Sequence, residues 1–286
     1  MKRKIVSIGA LVTALIVGTS SAALAAPQTD KSALIDRALE VVGEPTLASE
    51  VAISGISIQN DVGVLQTARG AIRVAPKNKN GSEIRLRSDG LQVLSVLNEG
   101  ETSATFGISL PFGSTLRQQG RQIEAVTEVD GAVIAFAAFD APWAVDARGE
   151  LVPTTYSIES GNVVQRIESR NATYPVVVDP KVSAQVVGPG GPGVFLSLKG
   201  IEIIGFGGLA YSILAVGPAA ACTLAKIPQA LTAIVRLLCT FVAPATVYDV
   251  FARLQEGTKN VAPNACYRAR IFPNADNYSK VASSFC

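Results

Sequence analysis

Glu83–Leu97 reads EIRLRSDGLQVLSVL, and the reading of this stretch decides the architecture of the chain. Glu83, Arg85 and Arg87 alternate with Ile84 and Leu86, the period-two spacing of a strand with one wet and one dry face. Asp89-Gly90 then offers the positive φ that a tight hairpin needs. Beyond the turn, Leu91, Val93 and Ser95 alternate with Gln92, Leu94 and Val96. Both faces of this second strand are largely apolar, so it is expected in the interior of a sheet, with the charges of the first strand turned to water.

The same pattern repeats on either side. Period-two runs are VAISGISI from 51, GAIRVAP from 70, SATFGISL from 103, RQIEAVTEV from 121, AVIAFAAF from 132, PTTYSIES from 153, VVQRIES from 163 and YPVVVD from 174. Between them stand Asn80-Gly81, Glu99-Gly100, Asp130-Gly131 and Ser160-Gly161, each a turn signal. About ten short strands with such turns predict an α+β protein built on an antiparallel β-sandwich or roll. A single helix precedes them. Thr29 or Asp30 can cap it, Leu34, Ile35, Ala38, Leu39 and Val42 form its apolar stripe, and Gly43 ends it.

The β-rich part is expected to span residues 26–182 and to close on YPVVVDPKV, Tyr174–Val182, where Asp179-Pro180 ends strand pairing. A Gly/Pro linker is read over 183–200, around GPGGPG at Gly188–Gly193. Residues 201–286 then read as a small all-α, hydrophobic unit with helices broken at Pro218, Pro228 and Pro244. Ile203–Ala225 carries no charge, and as one helix it would extend about 34 Å, enough to span a bilayer. Ile227–Tyr248 is similar but holds Arg236 near its middle.

The chain opens with MKRK, an uncharged apolar run and SSAALAA, the order of a secretory signal peptide with cleavage after Ala25. Without residues 1–25 the net charge becomes −1, which argues against nucleic acid as a partner. The charge is uneven: residues 26–180 carry 13 basic and 19 acidic side chains, residues 181–286 carry 9 and 4. That asymmetry points to a docking role toward another protein or an anionic cell-envelope surface. Four cysteines, Cys222, Cys239, Cys266 and Cys286, are candidates for two disulfides, in any of three connectivities. A bond from Cys222 or Cys239 to Cys266 or Cys286 would staple the apolar helices to the polar tail as a small globule. The other reading is a membrane-inserting hairpin in 201–250, in the manner of a bacteriocin or toxin.

The chain has no histidine, so Ser-His-Asp and Cys-His catalysis and histidine-ligated metals are excluded. No C-x-x-C pair is present, and no cofactor or metal site is expected. GPGGPG spells a dinucleotide loop, but Pro189 and Pro192 lack the N–H groups that would hold a phosphate. Asp140 and Asp146, in FDAPWAVDARGE, could be offered as an acid–base pair for a carboxylate hydrolase, yet both stand where aspartate shapes turns. Trp143 reads as a packing anchor, and Asn171-Ala172-Thr173 spells a glycosylation sequon. No residue is assigned a catalytic role, and the protein is expected not to be an enzyme.

Ala141–Pro180 resembles a family of uncharacterised exported actinobacterial proteins that share APWA.DA.G..VPT.Y, GN.L.Q.V and a closing YPVV.DP. Here Val163, Val164 and Ile167 occupy the middle element, and ESRN stands where the family carries a histidine. The resemblance implies export, an actinobacterial host and a β unit followed by a variable, small-residue-rich helical tail. It implies no activity. The expected function is that of a secreted or cell-surface interaction protein, an acidic β unit joined to a basic helical one.

Overall fold

α1 (Lys31–Val41) forms where the apolar stripe places it, with the Asp30 carboxylate accepting from Ser32 N at the N-cap. The computed structural model describes residues 30–44, 55–79, 81–188, 190–223 and 227–286. The signal peptide with its cleavage at Ala25 lies outside them, as do residues 51–54 of the first strand-like run and Asn80. After α1 come β1 (Ile56–Gln59), β2 (Val62–Thr67), β3 (Gly70–Pro76), β4 (Ser82–Arg87), β5 (Gly90–Leu97) and β6 (Ser103–Ser109). Then follow β7 (Ser114–Gln119), β8 (Gln122–Val129), β9 (Ala132–Phe139), β10 (Ala144–Val145), β11 (Thr154–Glu159) and β12 (Asn162–Ile167). β13 (Val176–Val178), β14 (Lys181–Ser183), β15 (Val186–Gly188) and β16 (Gly191–Lys199) lead into α2 (Gly200–Leu209) and α3 (Tyr211–Val216). α4 (Gln229–Phe241), α5 (Pro244–Gly257), β17 (Cys266–Phe272) and β18 (Ser279–Val281) complete the chain.

The α+β class and the antiparallel sheets stand. A six-stranded sheet runs β1-β2-β3-β6-β12-β11. A twelve-stranded sheet has the spine β10-β13-β5-β14-β9-β16-β17-β18, with β4, β7, β8 and β15 paired alongside. The decisive hairpin is β4–β5, in register from Ser82↔Ser95 to Arg87↔Gly90. Every β5 residue is buried, because β4 holds one edge while β13 and β14 hold the other. Gly90 is required at its start: a Cβ there would strike the Val182 carbonyl oxygen.

Arg85 and Arg87 do not face water. α1 lies over that face of the sheet, its Ile35, Ala38 and Leu39 packed on Leu94, Val96, Val145 and Val177. The arginines meet acids from the α1 segment: Arg85 Nη1 is 2.5 Å from Asp36 Oδ1 and Arg87 Nη2 is 3.4 Å from Glu44 Oε2. A period-two pattern reports alternation, and here the polar side of the strand is a covered side made tolerable by pairing.

The linker reading of 183–200 is corrected. β13 and β14 pair with β5 in one continuous register, Val178↔Ser95 and then Lys181↔Gln92, so Asp179-Pro180 does not release the chain from the sheet. Gly188 and Gly190–Gly193 stand at the β15–β16 hairpin, where Gly190 and Gly191 take positive φ; Pro189 lies outside the described residues. Past it, Val194–Leu198 is buried between β9 and β17. Glycine and proline disrupt pairing only where they stand, and the apolar run after them is an interior strand.

The C-terminal region carries the expected helices but is not all-α, since β17 and β18 extend the large sheet. One buried cluster runs from Leu65 and Ile72 in the small sheet through Phe136 in β9 to Leu238 and Leu254 in α4 and α5. The Phe136 and Phe241 rings lie 5.7 Å apart across it. The β strands and the helices therefore share a core.

The disulfides are Cys222–Cys239 and Cys266–Cys286, so neither joins the helices to the tail. The first ties the segment after α3 to α4, with a sequence separation of 17. Replacing Cys222 and Cys239 together by serine is expected to cost about 3 kcal/mol of unfolding free energy, read from urea denaturation of oxidised protein. An unchanged midpoint would mean that the loop is held by its packing alone.

Candidate functional site

Asp140 and Asp146 serve separate local tasks. Asp146 Oδ1 accepts from Arg148 N at 2.9 Å and Glu150 N at 3.0 Å, and its Oδ2 accepts from Thr173 N at 3.0 Å. Burial works to raise its pKa, but these backbone donors and the Arg148 guanidinium hold it below the usual range. The turn reading holds for Asp146. Asp140 faces Lys181, whose Nζ lies 3.6 Å away from it and 3.0 Å from Asp89. Burial raises the Asp140 pKa beyond what Lys181 offsets. A cleft of about 680 Å³ is lined by Asp146, Glu150, Pro153, Glu168, Arg170 and Asn171. Glu150 is engaged there with Arg148 at 2.7 Å. Trp143 packs beside the α1 cluster, as an anchor would. Among the described residues no set of three or more metal-ligating side chains converges.

The residues that converge are others, and they meet at Asp179. Pro180 has no N–H, and opposite it the chain between β9 and β10 detours through Asp140–Trp143. The ladder would be broken there, but side chains replace it. Asp179 Oδ1 accepts from Trp143 N at 3.2 Å and Oδ2 from Gln92 Nε2 at 3.1 Å. The Asp179 backbone carbonyl accepts from the Tyr156 hydroxyl at 2.9 Å. Gln92 Nε2 also reaches Glu44 Oε2 at 2.9 Å, and Arg87 Nε donates to Gln92 Oε1 at 2.7 Å.

Asp179 is 2% exposed and Gln92 0%. Burial pushes the Asp179 carboxyl up to about 8, against the two donors and with the help of the neighbouring Glu44 and Asp140 charges. The carboxyl is therefore un-ionised at neutral pH. Burial also raises the Tyr156 phenol well above its usual value. Sequence reasoning passed over Gln92, Tyr156 and Glu44 and took Asp-Pro for a boundary. The signal available was parity: Asp179 directly follows the apolar strand β13 on the same face as Val177, where a buried polar residue demands partners.

The second unusual feature is the outer face of α2 and α3. α2 carries one charged residue, Glu202, whose carboxylate accepts from Lys199 N at 2.6 Å; of its apolar residues Ile201 is 57% exposed and Ile204 39%, and Tyr211, at the start of α3, is 62% exposed. Gly205 and Gly208 share that side and are exposed. From Ile203 to Thr223 there is no charged residue. Exposed Lys199 precedes α2, and exposed Lys259 adjoins Thr258, whose methyl sits against Gly207. No helix among the described residues is long and apolar enough to cross a membrane, because the run breaks between α2 and α3 and again at Gly217. No protein-family model matches the chain, and no curated protein or solved structure matches it.

Proposed function

We propose that the protein is an exported, non-enzymatic interaction protein that docks on an anionic lipid surface of the cell envelope through the bare face of α2 and α3. The observation that carries this reading is the exposed stripe Ile201–Ile204–Tyr211, with exposed Lys199 just before α2 and no charged residue from Ile203 to Thr223. Apolar side chains left in water on a helix face lose free energy, and a contiguous patch of this kind marks a contact surface. An apolar helix face of this kind lies in the headgroup layer, and Lys199 beside it adds attraction to anionic lipid. The two disulfides accord with an oxidising compartment, and the resemblance of Ala141–Pro180 to exported actinobacterial proteins agrees with export. The basic balance of residues 181–286 favours the same surface.

Full-length oxidised protein is expected to co-sediment with vesicles rich in phosphatidylglycerol, weakly with phosphatidylcholine vesicles, and without releasing an entrapped dye. Replacing Ile201 and Ile204 together by aspartate should lower the partition constant about tenfold or more, since two apolar side chains and two new like charges act against insertion. Absence of binding at micromolar protein, or binding indifferent to those substitutions, would count against the reading. Dye release would favour the membrane-inserting effector instead.

A further inference from the structure

The Asp179–Pro180 junction holds a combination that strand pairing alone does not require. Its backbone carbonyl accepts a hydrogen bond from a buried phenol, Tyr156, at 2.9 Å. Its carboxyl is pinned by Trp143 N and Gln92 Nε2, in a site 2% exposed. The following residue is proline, so the peptide nitrogen carries no hydrogen and belongs to a tertiary amide. An aspartate side chain can close a five-membered ring on its own carbonyl carbon when its χ1 turns the carboxyl toward that carbon.

We propose that Asp179–Pro180 is a self-cleaving peptide bond, cut by the Asp179 carboxyl with the Tyr156 hydroxyl as the carbonyl's electrophilic partner. One carboxyl oxygen bonds to the Asp179 carbonyl carbon and closes a succinic-type cyclic anhydride. The bond from that carbon to the Pro180 nitrogen breaks, and its electron pair stays on nitrogen. The proton released by the carboxyl passes to the same nitrogen, leaving Pro180 with a secondary amine. One water then opens the anhydride and restores two carboxyl groups on Asp179. The net reaction consumes one water and needs no other reactant.

Three features of the fold favour this step. The reactive form of a carboxyl that both attacks and delivers a proton is the un-ionised acid. Here that form persists to about pH 8, because burial outweighs the donors Gln92 and Trp143 N and the charges of Glu44 and Asp140 oppose ionisation. Arg87 and Lys181, the cations of the same network, are themselves engaged, Arg87 with Glu44 and Lys181 with Asp89 and Asp140. The Tyr156 hydroxyl stands where charge builds up on the carbonyl oxygen as the carboxyl adds. The cut chain also stays assembled, since β13 and β14 each remain paired with β5. Both disulfides lie within 180–286, so nothing covalent would join the two pieces.

The test incubates purified full-length protein at mildly acidic to neutral pH and follows it by denaturing gel and intact mass. The expected products end at Asp179 and begin at Pro180, and in oxygen-18 water the N-terminal piece gains one heavy oxygen. The rate should be level below about pH 8 and fall about tenfold per unit above it. Asp179→Asn should abolish cleavage, and Tyr156→Phe should slow it about tenfold or more while leaving Pro180→Ala to report on the leaving group if the phenylalanine variant unfolds. Pro180→Ala should also be slower. An intact wild-type chain after prolonged incubation overturns the proposal. So does a rate no faster in the folded protein than in urea, or one unaltered in both Tyr156→Phe and Pro180→Ala.

Discussion

Asp179→Asn is expected to stabilise the folded protein at pH 8 by on the order of 4 kcal/mol while changing little near pH 4. The sign follows from proton counting. In the unfolded chain Asp179 ionises with the ordinary value of 3.8, and in the folded protein burial raises it to about 8. Between those values the folded state holds the proton and the unfolded state has lost it. Unfolding then releases a proton, so its free energy falls as pH rises through that window. Asparagine keeps the shape and has no charge to bury, which removes the decline. Urea denaturation of both proteins at several pH values would give curves that meet near pH 4 and diverge toward pH 8. Parallel curves would mean that the site admits the carboxylate without penalty. At its simplest, the uncut wild-type fold is expected to be more stable in mild acid than in mild alkali.

The other large effect is expected at Arg268. Its guanidinium donates to Glu124 Oε1 at 2.9 Å and is stacked between the Phe195 and Phe285 rings, each 4.6 Å away. Arg268 is 3% exposed and Glu124 4%. Arg268→Met alone should cost about 3–5 kcal/mol, because Glu124 would remain buried without its counter-ion. Adding Glu124→Leu should recover most of that loss, since two apolar side chains can fill the space that the ion pair occupies. Chemical denaturation of wild type, both single variants and the double variant closes the cycle. Equal losses in the single and double variants would place the contribution in the stacking on Phe195 and Phe285 instead of the pair.

Much of the β framework was legible in the sequence. Glu83–Leu97 announced a hairpin, and its second strand is as central as its two apolar faces implied. Asp30 caps α1, and Ile35, Ala38 and Leu39 bury the stripe read from spacing. What escaped was decided by neighbours distant in the chain. Val194–Leu198 reads the same whether it enters a sheet or a helix, and only β9 and β17 on either side make it a strand. β7, Ser114–Gln119, has no apolar alternation because its outer side meets the C-terminal residues, with Gln119 Nε2 donating to Ser284 O at 2.6 Å. The Asp179 network was invisible for a similar reason: Glu44, Arg87, Gln92, Tyr156 and Asp179 come from five separate segments, and no local pattern joins them. The bare face of α2 was the reverse case. Its apolar residues were plain, but whether they would be covered depended on how α5 packs behind the helix.

The placement of β16 between β9 and β17 also sets an order of events. A nascent chain that has emerged only as far as Lys199 can complete one side of that strand and must leave the other bare. The second ladder waits for Cys266–Phe272, and the clasp on Cys266 waits for Cys286. Assembly of the sheet thus waits until about seventy residues past Lys199 have been made, and a ribosome that stops before them would deliver a product with an open, sticky rim.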